Sequence, residues 1–191
     1  MTYTSFILYS FIMTITPGPT NIVILSTVHH FGIKKAMEYT YGATVAFALL
    51  LFISASLNSM FISVIPNILI YMKIIGSLYM LFLAYQIYST DSTKPPVSRT
   101  GTFYSGLFMQ FLNPKVVLFT MTVIPSFILP YYVTSKEIIL NVLLITLIGF
   151  VAFLSWVLFG KMFRKLLLKY SKFVNILLSL FLVYAAIMIW L

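Results

Sequence analysis

The chain has no cysteine and only three acidic residues among its 191. Without thiols, disulfides and thiolate metal sites are excluded. No paired carboxylates, nucleophile elbow, phosphate-cradling loop or His-rich helix stands in the sequence. An enzymatic function has nothing to attach to, and no residue pattern asks for a cofactor or a resident metal. Charged residues of either sign amount to only 8%, against about a quarter in ordinary soluble domains. A chain so poor in charge cannot cover its own surface in water.

Apolar residues make up 61% of the chain instead, so its solvent must be lipid. Six spans of about 20 residues use roughly 120 positions, which leaves short loops and no room for a soluble domain. Long apolar runs bounded by charge, Pro or Gly fall at residues 6–28, 39–65, 68–88, 103–127, 138–159 and 173–190. These predict an all-α integral membrane protein of six transmembrane helices. Pro66-Asn67 reads as a tight turn between the second and third spans. Residues 89–102, with Pro95-Pro96, read as a linker between a first half at about 1–90 and a second at about 103–191. No Lys or Arg precedes Lys34, so the first span lacks the basic flank of a removable signal peptide.

The net charge of +9 would suggest nucleic acid in a soluble protein, but its distribution points to a membrane. Lys34, Lys35, Lys94, Arg99, Lys161, Arg164, Lys165, Lys169 and Lys172 fall in odd-numbered loops. Only Lys73 and Lys136 fall on the even side. The asymmetry places the odd loops in the cytoplasm and both termini outside. Tyr131, Tyr132 and Trp190, at span ends, suit an interfacial aromatic belt.

Two spans are broken by proline. The first carries Pro17-Gly18-Pro19 and the fourth Asn113-Pro114-Lys115. The two halves also align at a constant offset near their ends, pairing Ile74 with Ile176, Ser77 with Ser179, Leu78 with Leu180, Ala84 with Ala186 and Ile87 with Ile189. With three spans per half, the second copy must be inserted upside down. Inverted repeats whose first helices are discontinuous mark transporters, with the site at the breaks. A broken helix in lipid leaves amides and carbonyls unpaired, tolerable only against protein or a wet cavity. A half-helix starting at Pro19 or Pro114 turns free N–H groups toward that cavity, which suits a carboxylate. Thr16, Thr20 and Asn21 surround the first break; Gln110, Asn113 and Lys115 surround the second. Each break also admits a plain proline kink patched by its neighbours. Lys115 sits inside a span with no acidic partner in view. It binds a substrate carboxylate, caps backbone carbonyls at the break, or snorkels to an interface. His29, His30 and Glu38 read as interfacial residues, the adjacent histidines on different helix faces.

Thr16-Pro17-Gly18-Pro19-Thr20-Asn21-Ile22 resembles the first-span signature of the LysE/RhtB superfamily of exporters. Phe103, Gly106 and Asn113-Pro114-Lys115, followed by Pro125 and Phe127, resemble its second-half signature. Gly32 with Lys34-Lys35, Gly42 and Gly76-Ser77-Leu78-Tyr79 follow the same spacing. Residues 111–130 and 161–184 are similar to the cysteine/O-acetylserine exporter branch. The resemblance implies a bacterial inner-membrane secondary transporter that exports amino acids or close derivatives by alternating access, driven by protons. It implies a substrate site at Thr16, Pro17, Gly18, Pro19, Thr20, Asn21, Gln110, Asn113, Pro114 and Lys115. A bundle this small is compatible with a homodimer. The sequence departs from the family where many members carry an acid in the second span; Ala46 and Phe47 stand there. A divalent-cation exporter and a non-transporting membrane subunit are the competing readings.

Overall fold

The computed structural model describes residues 3–89, 101–132, 134–188 and 190, and over these the chain is helical, without strand. In a hydrocarbon solvent every backbone polar group must be satisfied within its own segment, and the helix does this. The first span is two helices, α1 (Tyr3–Ile15) and α2 (Pro19–Phe31), bent by 52° at the break. The fourth is α5 (Phe103–Phe111) and α6 (Pro114–Val123), continued by a π-turn at Ile124–Ile128 and bent by 63°. Both second members start on a proline, where the missing N–H costs nothing. Between the bent pairs run α3 (Ile33–Ser56) and α4 (Asn58–Ser89). After the second pair come α7 (Ser135–Met162), the short α8 (Arg164–Lys169) and α9 (Ser171–Met188). Thr102 with Ser105 and Thr134 with Glu137 form reciprocal capping boxes that start α5 and α7.

Among the described residues, α3, α7 and α9 are long and apolar enough to cross a membrane, and the bent pairs raise the number to five. Large apolar side chains such as Leu78, Phe82, Leu147 and Leu180 are exposed along these helices, as a lipid-facing surface requires. One predicted boundary is wrong. The chain does not turn at Pro66-Asn67; α4 runs through them for 32 residues, and the break from α3 is at Leu57. Proline removes one ladder bond, but no water stands ready to receive the freed groups, so the helix carries on. α3 ends at Leu57, whose N–H still bonds the Ile53 carbonyl. The basic fifth loop is partly helical, forming α8. Lys94, Pro95-Pro96, Arg99 and Ile189 lie outside the described residues.

α3 lies at the centre, packed most closely on α5 and α7, while α4 packs on α9. Glycine makes these approaches possible. A Cβ at Gly42 would overlap the Phe103 carbonyl, and one at Gly106 would overlap the Tyr39 carbonyl, so α3 and α5 meet backbone to backbone. Gly149 on α7 receives the Phe47 ring of α3, and Gly160 receives Val28 of α2. At the α4–α9 seam, Ser77 Oγ donates to the Ala186 carbonyl at 3.2 Å, while Ser179 Oγ donates to the Ala84 carbonyl at 3.0 Å. These are the aligned positions of the two halves, exchanged across one interface. Apolar side chains gather into two main clusters, one around Val23, Tyr39, Met80 and Leu182, the other around Phe6, Phe119, Ile124 and Ile145. The residues of the two breaks fall between them.

Gly106→Ala and Gly42→Ala should each lower stability by about 1–3 kcal/mol, the usual cost of overpacking. Gly18→Ala, whose new methyl lies 3.4 Å from its nearest neighbours, should be close to neutral. Thermal unfolding of the purified protein in detergent measures all three.

Candidate functional site

Ending α1 inside the protein exposes the last carbonyls of the helix, and each acquires a donor. The Thr16 N–H bonds the Ile12 carbonyl at 3.1 Å, and the Thr16 hydroxyl faces the Ile12 and Met13 carbonyls at 2.9 and 3.2 Å. Asn21 Nδ2, in the first turn of α2, folds back to donate to the Thr14 and Thr16 carbonyls at 3.0 and 2.9 Å. Trp156 Nε1, from α7, donates to the Ile15 carbonyl at 3.0 Å. Lys115 Nζ, from the other broken helix, donates to the Thr16 carbonyl at 3.1 Å and to its hydroxyl at 2.9 Å. A cation at a helix C-terminus is also favoured by the helix dipole. Of the roles open to Lys115, the capping of carbonyls is the one it occupies; it folds onto the break rather than out to an interface.

The second break is organised by Asn113. Its Oδ1 accepts the Lys115 N–H at 3.2 Å and caps α6. Its Nδ2 donates to Thr20 Oγ1 at 3.2 Å, and that hydroxyl in turn donates to Gln110 Oε1 at 2.7 Å. One hydroxyl on α2 thus ties both sides of the α5–α6 break. The start of α2 differs from that of α6: no side chain caps it.

Thr20, Asn21, Gln110 and Asn113 are all almost fully buried. Two of their atoms, Asn21 Oδ1 and Gln110 Nε2, are buried without a hydrogen-bond partner. Both residues line a small cavity of about 30 Å³ with Thr20, Asn113 and Lys115, walled by Phe47, Phe119 and Phe153. On the other side of Lys115 lies a groove of about 520 Å³, lined by Pro17, Pro19, Lys73, Pro114, Leu118, Tyr184 and Met188 among others. Gly18, Asn113 and Lys115 border both. All ten residues singled out in the sequence therefore meet at one junction. Trp156, Thr14, Lys73 and Phe47 were missed as its neighbours. For Trp156 no local signal exists, since α7 is continuous where it reaches the break. Phe47 occupies a position where the superfamily resemblance expects an acid, and that departure was the available hint: its ring lines the cavity.

The histidines depart from expectation. His29 is fully buried in the protein, and its ring centroid lies 4.3 Å from that of His30. Neighbouring helix positions point about 100° apart, yet both rings turn into the seam with α9. There His29 Nε2 meets Ser171 Oγ at 3.1 Å. Glu38 forms an ion pair with Lys35 at 2.7 Å.

Residues 11–191 match the LysE type translocator family. The chain is 33% identical to a cysteine/O-acetylserine efflux protein of Klebsiella pneumoniae, over 97% of this chain and 95% of that one. It is 28% identical to proteins of the same name in Salmonella paratyphi A, over 100% and 98% of the two chains, and in Escherichia coli O1:K1, over 95% and 94%. No solved structure matches it.

Thr20→Val should destabilise the protein by about 1–3 kcal/mol, because it strands the buried Asn113 and Gln110 amides. Thr20→Ser keeps the hydroxyl and should recover most of that loss. Unfolding midpoints in detergent for the pair measure the bridge.

Proposed function

The chain belongs to the LysE type translocator family, and from that premise we propose that it exports small neutral amino acids or close derivatives across the bacterial inner membrane, by alternating access coupled to protons. One observation carries the reading. A buried cavity at the junction of two broken helices presents one unpaired acceptor, Asn21 Oδ1, and one unpaired donor, Gln110 Nε2. A zwitterion supplies the complement of each. Its ammonium group suits Asn21 Oδ1, and its carboxylate suits Gln110 Nε2 and the uncapped start of α2. The walls next to these groups are Phe47, Phe119 and Phe153. They favour an uncharged side chain and offer no carboxylate to a cationic one. Cysteine and O-acetylserine, which give the relatives their printed name, satisfy this description.

Volume argues for movement. The cavity of about 30 Å³ holds about one or two waters, so an amino acid enters it only when the surrounding helices separate. The groove of about 520 Å³ can hold the whole substrate, and the Lys115–Thr16 contact stands between the two spaces. On this reading Lys115 is the latch. A substrate carboxylate arriving from the groove competes with the Thr16 carbonyl for its ammonium group, releases the two breaks from each other, and opens the cavity.

The packing supports two inverted three-helix repeats, with α1–α2, α3 and α4 matching α5–α6, α7 and α9. The contact of α3 with α5 has its counterpart in α7 with α1, α2 with α7 in α6 with α3, and α2 with α9 in α6 with α4. The exchanged Ser77 and Ser179 bonds lie on the same internal two-fold relation. α4, at 32 residues, is then the sixth span, about 48 Å long at 1.5 Å per residue. Rocking of one repeat against the other would expose the junction to each side in turn. The divalent-cation reading finds no support in the junction, whose polar atoms are amides, hydroxyls and one ammonium group, poor ligands for such an ion.

Asn21→Ala and Asn113→Ala should each lower export by at least about tenfold, the worth of a hydrogen bond to a charged group, while the protein still inserts. Efflux of cysteine, O-acetylserine and lysine from loaded cells, normalised to membrane-inserted protein, measures this. Unchanged export in both variants would sink the site. Collapse of the proton gradient should stop wild-type export, and lysine should be the poorest of the three substrates.

A further inference from the structure

α2 carries a second polar feature at its far end. His29 lies eight residues beyond Asn21, about 12 Å along a continuous helix. Its imidazole is fully buried. Nε2 meets Ser171 Oγ, on the first residue of α9, at 3.1 Å, while Nδ1 is buried without a hydrogen-bond partner. The His30 ring lies beside it, tilted by 58°, with its own Nε2 buried and unpartnered. The Asn175 carboxamide of α9 faces both rings. The Arg164 guanidinium lies beside Gly32, at the end of α2. Among the described residues, the two carboxylates are committed elsewhere: Glu38 to Lys35, and Glu137 to the capping box of α7.

We propose that His29 is the proton-binding residue of the transport cycle, and that its charging parts α8 and the start of α9 from α2. This rests on the exporter reading. Neutral His29 with Nε2–H donating to Ser171 leaves the Nδ1 lone pair as the vacant position for a proton. Imidazole is the side chain whose ordinary titration falls nearest neutrality, and here it sits in the helix that begins at the substrate junction. The bound proton creates a cation next to Arg164 in surroundings of low dielectric, where like charges repel strongly. α8 and α9, joined through Tyr170, can yield. Because α2 is a single rod, displacement at His29 is felt at Thr20 and Asn21. Loss of the proton restores the seam, so the load at one end of α2 is coupled to the closure of the other.

The test uses the full-length protein in liposomes with labelled cysteine under reducing conditions. Exchange at equal pH on both sides measures transport itself; accumulation under a gradient of one pH unit measures coupling. For a one-proton exchange the wild type should accumulate cysteine roughly tenfold, since one pH unit is worth a factor of ten. His29→Gln should keep exchange and lose accumulation, with a ratio of about one. Tenfold accumulation by His29→Gln overturns the proposal. Wild type that exchanges without accumulating overturns it and leaves the exporter standing. Wild type that exchanges no amino acid defeats the exporter reading, and the proposal with it. Should His29→Gln lose exchange as well, Arg164→Gln decides. Removing the opposing cation should move the half-maximal pH of exchange upward, and an unchanged profile overturns the assignment.

Discussion

A helix that stops in the middle of an apolar layer must find partners for its last carbonyls, and the structure of this protein depends on how that is met at α1. Asn21 reaches back from the next helix, Trp156 reaches across from α7, and Lys115 reaches in from the second broken helix. Each of these donors comes from a different place in the chain. The break therefore cannot persist in isolation; it holds α2, α6 and α7 to the end of α1. The Thr14 and Ile15 carbonyls have one side-chain donor each, Asn21 and Trp156, whereas the Thr16 carbonyl is shared by Asn21 and Lys115; in an apolar layer the first two have the most to lose.

The same requirement explains why the two breaks meet. Four amide and hydroxyl side chains at their edges interlock through Thr20, yet two atoms of the set stay unpaired. Natural interiors carry few such atoms, and those they keep ask for a reason. A transported zwitterion is a reason that accounts for both at once, one as a donor and one as an acceptor. The apolar clusters on either side keep that small polar volume away from competing water, and the glycine-mediated approach of α3 to α5 keeps it small.

Symmetry gives this arrangement a means of opening. Reciprocal bonds between Ser77 and Ala186 and between Ser179 and Ala84 fix α4 against α9, and on the proposed two-repeat reading they lie where the halves would pivot. The halves are not equal, however. α6 is capped by Asn113, while the start of α2 is left open, and the paired histidines have a place only on α2. An exporter needs such inequality, because the two sides of a membrane present different concentrations and different pH.

The membrane as solvent, the helical class and the two proline breaks were legible in the sequence, because composition and proline act locally. A chain with so little charge has one environment open to it, and Pro19 and Pro114 can begin a helix but not continue one without cost. The junction was legible as a set of residues, since polar groups beside a break in an apolar run stand out. The sequence misjudged Pro66-Asn67, because whether a proline ends a helix or only bends it depends on what surrounds the freed carbonyl. It could not choose among three roles for Lys115, nor see that Trp156 closes the same break from 141 residues away. It separated His29 from His30 by helix geometry, although both side chains turn into one seam. These are matters of which groups meet, and they follow from packing between segments distant in the chain. Local chemistry decided where the helices break; only tertiary contact decided which donors fill the breaks, and which two polar atoms at the junction were left unpaired.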